Sequence, residues 1–221
     1  FQCIKQIKKN IDAGTHVLLF PEGRVSIDGT TGYIAPSIGK LIKFLDCTVV
    51  AGVTHGGYTG GPKWGKPRRT KVTLKLAPVL TKEEIKNMSA ADIAAKITNS
   101  LRFDDNRNLV EEHRKISRCN KRAEGLEKIL YKCPRCGAEF KNVTKGNVMK
   151  CTQCGNTVEY GRDGILHAIK GKTFDYISDW YDFERQDLKE QVTDENFRLE
   201  GKVALYVNNE KLNKFVKDGE G

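Results

Sequence analysis

Two groups of residues have the types and spacing for chemistry. Cys133 and Cys136 form one CxxC pair, in CPRCG, and Cys151 and Cys154 form a second, in CTQCG. Two residues between thiolates let both sulfurs of a tight turn face one ion, and the glycine that follows permits the turn. Two such knuckles supply four sulfurs, the donor set of a closed tetrahedral zinc site with no position left for a substrate. Zinc is therefore expected in a structural role, supplying much of the folding energy of so small a module. The alternatives are four unrelated thiols or a redox CxxC; the matched spacing, with glycine after each pair, favours the metal. Cys3, Cys47 and Cys119 are scattered singly, which suits a reducing compartment rather than a disulfide scaffold.

The second group is FPEGRVS, residues 20–26, at the end of a short apolar run. Pro21 fixes the chain direction. Gly23 lets the backbone turn and lets a ligand come close. Arg24 offers a planar fork of donors that matches phosphate oxygens. Glu22 could orient that arginine or receive a substrate hydroxyl, and Ser26, Gly29 and Gly32 add donors and room. The candidate substrate-binding residues are thus Glu22, Gly23, Arg24 and Ser26. The competing reading is a surface turn carrying an exposed ion pair, and these residues alone leave both open.

The elements that must position these groups follow from periodicity. Ile4, Ile7 and Ile11 fall at helical spacing, with Gly14 as a stop. Residues 16–20 are too short for a helix and predict a buried strand. Ile38, Leu41, Ile42 and Leu45 predict a second helix, and residues 47–54 and 70–76 two further strands around the loop GGYTGGPKWGKPRR. This alternation argues an α/β domain with a mixed sheet over residues 1–101. TKEEI, with acids in its first turn, and residues 89–101 predict helices. Residues 102–130 read as a connector, with one long charged helix over 108–130. Residues 131–160 are the zinc module, and a small third domain is expected over 172–221. Its aromatics Trp180, Tyr181 and Phe183 are expected in its core, and KVALYV is expected as a strand.

The 221 residues carry 38% hydrophobic side chains and a net charge of +10. That balance points to an anionic partner, whether a phosphate-bearing substrate, an anionic lipid or a nucleic acid. No apolar run approaches the ~18 residues of a membrane span, and the opening FQCIKQIKKN lacks the apolar centre of a signal peptide. Opening at Phe1 in mid-helix and closing on VKDGEG, the chain reads as a fragment at both ends.

FPEGRVS resembles the FPEG-T-R-S block of the glycerolipid acyltransferases, the lysophosphatidate and glycerophosphate acyltransferase family. Phe20, Pro21, Glu22, Gly23 and Ser26 occupy matching positions, while Arg24 stands one residue early. FPEGR is also similar to the form in acyltransferases that re-acylate lysophosphatidylethanolamine. TVVAGVTHGGY, residues 48–58, resembles the family's next strand and turn, with Ala51 in place of the usual proline. The stretch PKWGKPRRTKVTLKLAPVLTKEEI resembles the end of that domain. RAEGLEKILYKCPRCGAEF with its second CxxC is similar to an architecture of Firmicutes acyltransferases that carry a zinc ribbon. The resemblance implies transfer of a fatty acyl group from acyl-CoA or acyl-carrier protein to glycerol phosphate or a lysophospholipid. It implies that Arg24 meets the acceptor phosphate, and that the protein is cytoplasmic and peripheral at the inner face of the cell membrane.

The family's catalytic block is HxxxxD, a general base with its orienting carboxylate. His16, His55, His113 and His167 are followed five residues on by Pro21, Gly60, Arg118 and Lys172. No catalytic residue is therefore expected within the chain. Gly60, Gly65 and Lys66 satisfy GxxxxGK, but Pro67 replaces the hydroxyl residue and a strand follows, which argues against an ATP site. Lys63, Lys66, Arg68, Arg69 and Lys71 lie beside Tyr58 and Trp64 and would suit a membrane headgroup zone, a coenzyme A phosphate or a solvated loop. A non-enzymatic zinc-ribbon adaptor for nucleic acid or protein is the alternative function. The ribbon lacks the interleaved aromatics of a base-stacking platform, which argues against nucleic acid.

Overall fold

The computed structural model describes residues 2–198, 204–209 and 214–220. The chain is mixed α/β. It forms two compact units, Phe1–Glu184 and Arg185–Gly221.

In the first unit, α1 (Gln2–Asp12) turns Ile7 and Ile11 toward a core formed by α2 (Ser37–Leu45), β1 (Val49–His55), β2 (Thr73–Leu80), α4 (Lys82–Asn87) and α5 (Ala90–Ser100). Ile42, Leu45, Leu80, Ile85, Ile93 and Ile97 are its buried members. α4 and α5 start where the sequence provides a cap. Thr81 and Glu84 form a reciprocal capping box on α4, and the Ser89 hydroxyl accepts the Asp92 N–H at the start of α5. β1 and β2 pair antiparallel, Gly52 opposite Leu76, and β2 runs through Pro78 to Leu80 rather than stopping at residue 76. Pro78 is tolerated because β2 is an edge strand. A one-turn helix, α3 (Gly57–Gly60), follows β1.

A second core joins Trp64 and Leu109 to Ile116, Ala123, Leu126, Leu130, Met149, Tyr160, Ile177 and Trp180. It gathers the basic loop, α6 (Asp105–Glu111), the chain after it and an antiparallel sheet of four strands. These are β3 (Asn142–Lys145), β4 (Val148–Cys151), β5 (Thr157–Tyr160) and β6 (Leu166–Lys170), in that order. The first part of α7 (Ile177–Gln191) closes this core. The Trp180 indole donates to the Lys132 carbonyl at 2.9 Å, and Tyr181 and Phe183 pack against the cluster.

Three expectations change. Residues 16–20 form no strand: Leu18 and Phe20 are 77% and 79% exposed, and β1 pairs only with β2. A short apolar run becomes a strand only when a partner takes up its backbone groups, and none does so here. The sheets are separate, and every pairing among the described residues is antiparallel, so there is no single mixed sheet. Residues 108–130 are not one helix. α6 ends at Glu111, and the chain then runs irregularly to a single 3-10 turn, Leu126–Lys128. Tertiary contacts take its backbone groups instead: Ile116 N–H donates to the Arg162 carbonyl at 2.7 Å and Ala123 N–H to the Gly146 carbonyl at 3.0 Å.

In the second unit the end of α7 is followed by β7 (Ala204–Asn209) and β8 (Lys214–Glu220), paired antiparallel with Val207 opposite Val216. The strand expected from KVALYV is thus present over its described residues. Among the described residues no helix is long and apolar enough to cross a membrane.

Candidate functional site

The four cysteines of the two knuckles come together. Their sulfurs all lie within 4.8 Å of one another, with Cys133 to Cys154 at 3.7 Å and Cys136 to Cys151 at 3.9 Å. A metal bound to sulfur at ~2.3 Å sets tetrahedral sulfurs about 3.8 Å apart, close to these two separations, so the donor set fits an ion. Each knuckle closes on its glycine: Gly137 N–H donates to the Cys133 carbonyl at 2.9 Å and Gly155 N–H to the Cys151 carbonyl at 3.0 Å. Both glycines sit at positive φ, 72° and 71°, where a side chain would strain the backbone. Burial pushes the Cys133 thiol up to about 12. The Asn156 N–H brings Cys154 down to about 7. Four thiolates this close need a cation to ionise together. An ion held by all four sulfurs would have no open position for catalysis.

The loop that follows Phe20 is built by its own polar groups. The Glu22 carboxylate accepts the Gly32 N–H and closes the loop across its base. The Ser26 hydroxyl donates to the Thr30 carbonyl at 2.7 Å and accepts the Gly29 N–H at 2.9 Å. Asp28, buried, accepts the Thr30 N–H and hydroxyl. Gly23 takes φ 66° and lies in the open. The far side of the loop is anchored to the start of α6, through Asp105 N–H to the Gly29 carbonyl and Thr31 N–H to the Phe103 carbonyl, both at 3.0 Å. Gly29 is required there. At φ 94°, a Cβ would lie 2.7 Å from the Tyr58 ring.

Four expected binding residues therefore divide by role. Glu22 and Ser26 hold the loop, Gly23 shapes it, and Arg24 lies exposed on it. Among the described residues Arg24 makes no hydrogen bond or ion pair, and it is exposed. Glu22 does not pair with it, so the ion pair of the competing surface-turn reading is not formed among the described residues. Leu18, Phe20 and Val25, 62–79% exposed, flank the same stretch.

The basic loop is not a uniform cationic surface. Trp64 is 3% exposed, too deep for a headgroup zone. Its indole donates to the Tyr58 hydroxyl at 2.7 Å. Arg68 folds over the Trp64 and Tyr160 rings, at 5.3 and 5.9 Å from their centroids, and burial lowers its pKa. Lys63, Lys66, Arg69 and Lys71 remain exposed. Gly60 and Lys66 do not meet a helix N-terminus beyond them; the next element is β2. His55 is buried, and its Nδ1 lies 3.1 Å from Glu112. Glu112 is held at about 2, first by Lys75 and then by Arg114. This is a structural ion cluster.

Sequence reasoning missed Asp105. Its carboxylate accepts the Gly56 N–H at 2.6 Å and the Thr59 N–H at 2.8 Å, fixing the HGGY turn against the loop. The signal was the FDDN sequence: Asp104 caps α6, accepting from Asn106 and Arg107, which leaves Asp105 to turn inward. Compared with family models, with curated proteins and with solved structures, the chain matches none.

Proposed function

We propose that this chain is the acceptor-binding part of a glycerolipid acyltransferase followed by a structural zinc ribbon. The observation that carries the reading is Arg24, an exposed guanidinium without an ion-pair partner among the described residues, on a loop that Glu22 and Ser26 close. A guanidinium without a carboxylate partner is suited to bidentate contact with a phosphate. The acceptor is glycerol phosphate or a lysophospholipid, and the donor acyl-CoA or acyl-carrier protein. The exposed Leu18, Phe20 and Val25 support an acceptor taken from a lipid surface, with the protein peripheral at the inner face of the membrane.

On this reading the loop binds and orients, and the proton is removed elsewhere. His55 is committed to Glu112, and none of the four histidines belongs to an HxxxxD block. The base then comes from residues outside these 221. The ribbon zinc takes Cys133, Cys136, Cys151 and Cys154 and orders a core that also holds Trp64, beside the basic loop. The test is binding of lysophosphatidate and of glycerol phosphate to this chain by calorimetry. Arg24→Ala is expected to weaken it about tenfold or more, the scale of one charged hydrogen-bonded contact. Equal affinity in wild type and variant would remove the phosphate role.

A further inference from the structure

A second cluster of cations lies far along the chain from Arg24, where residues 113–122 cross the β5–β6 hairpin. There Lys115, Arg122, Glu159, Arg162, Asp163 and His167 line an open cleft of about 340 Å³. The two segments are clamped reciprocally. Ile116 N–H donates to the Arg162 carbonyl, and Arg162 Nε donates to the Ile116 carbonyl at 2.9 Å. The clamp fixes the Arg162 side chain while leaving its two terminal nitrogens without partners among the described residues. The Lys115 ammonium likewise has no partner there.

The acids of the cleft are already taken. Asp163 lies 2.9 Å from His167 Nε2 and accepts the Ile165 N–H. Glu159 lies 3.3 Å from Arg122 Nη2. Arg122 is itself immobilised, donating to the Tyr160 and Cys119 carbonyls at 2.9 and 2.8 Å. Lys115, Arg122 and Arg162 thus outnumber Glu159 and Asp163, whose oxygens already have partners, and the unpartnered donors of Lys115 and Arg162 point to an anion. An arginine fork beside a lysine matches the oxygens of a phosphate. The volume falls at the small end of ligand clefts.

We propose that this cleft binds the phosphate group of a small molecule, with Lys115 and Arg162 as its principal contacts. The site is independent of the loop at Arg24 and of the acyltransferase reading. Its test is a titration of the 221-residue chain, followed by amide NMR at low ionic strength. One arm uses inorganic phosphate, a second glycerol phosphate, and a third vesicles of phosphatidylcholine with phosphatidate. Saturable shifts at residues 115–116 and 161–167 are expected, separate from any that glycerol phosphate or phosphatidate causes at residues 22–26. Read at those cleft residues, Lys115→Ala should weaken the response about fivefold, the size of a single exposed ionic contact, and Lys115→Ala with Arg162→Gln should abolish it, while Arg24→Ala leaves the cleft response unchanged. A response to vesicles alone, lost in the double variant, would identify a lipid headgroup as the source of the phosphate. Shifts spread over the surface lysines, no response in any arm, or equal affinity in the double variant would overturn the proposal.

Discussion

Glu184→Gln should remove most of a pH slope from the stability of this protein. Glu184 is 1% exposed, where α7 meets the ribbon. One carboxylate oxygen accepts the Lys132 N–H at 2.8 Å, and the other has no partner. Burial raises its pKa from 4.5 to about 8. Between those values the folded chain holds a proton that the unfolded chain has released. The stabilisation is therefore full below about pH 4.5 and lost as pH rises through about 8. The slope reaches about 1.4 kcal/mol per pH unit, and the loss from pH 5 to pH 8 is about 3 kcal/mol. Glutamine keeps an acceptor for Lys132 and does not titrate. Urea unfolding at pH 5, 6.5 and 8, on wild type and variant, isolates the term, because groups common to both cancel in the difference. The difference should shrink or change sign by about 3 kcal/mol across the range. Parallel stability curves would refute the buried, protonated carboxyl.

Other consequences are open to simple measurement. Chelating the metal should unfold more than residues 131–160, because Trp64 shares the ribbon's core; a red shift in tryptophan emission is expected, and unchanged emission would argue against that shared core. Gly29→Ala should cost about 2–4 kcal/mol in thermal or urea unfolding, from positive φ and contact with Tyr58 together. Asp105→Ala strips two backbone N–H groups of their acceptor and should cost about 2–4 kcal/mol, with the largest amide NMR shifts at Gly56 and Thr59.

The elements with strong local signals were legible in the sequence. Ile7 and Ile11 set the buried face of α1, Thr81 and Glu84 announce the start of α4, and the CxxC spacing brings four sulfurs together. What was illegible depends on partners distant in sequence. Residues 16–20 have strand composition, yet no second strand meets them. Residues 112–130 have helical composition, but Ile116 and Ala123 give their N–H groups to Arg162 and Gly146 carbonyls far along the chain. The run of cations in the basic loop does not disclose that Arg68 folds inward over two rings. In FPEGR the residue types suggested a binding loop. Only the fold divides them, with Glu22 and Ser26 occupied in closing the loop and Arg24 left free.

The central claim is best tested by acyl transfer. The whole polypeptide that carries this chain should be assayed with labelled acyl donor and lysophosphatidate, comparing wild type with Arg24→Ala. Acceptor-dependent transfer is expected in the wild type, and the variant should lose about 10- to 100-fold in kcat/KM, the worth of one charge-assisted phosphate contact. No transfer by the wild type with either donor, or full transfer by the variant, would contradict the account.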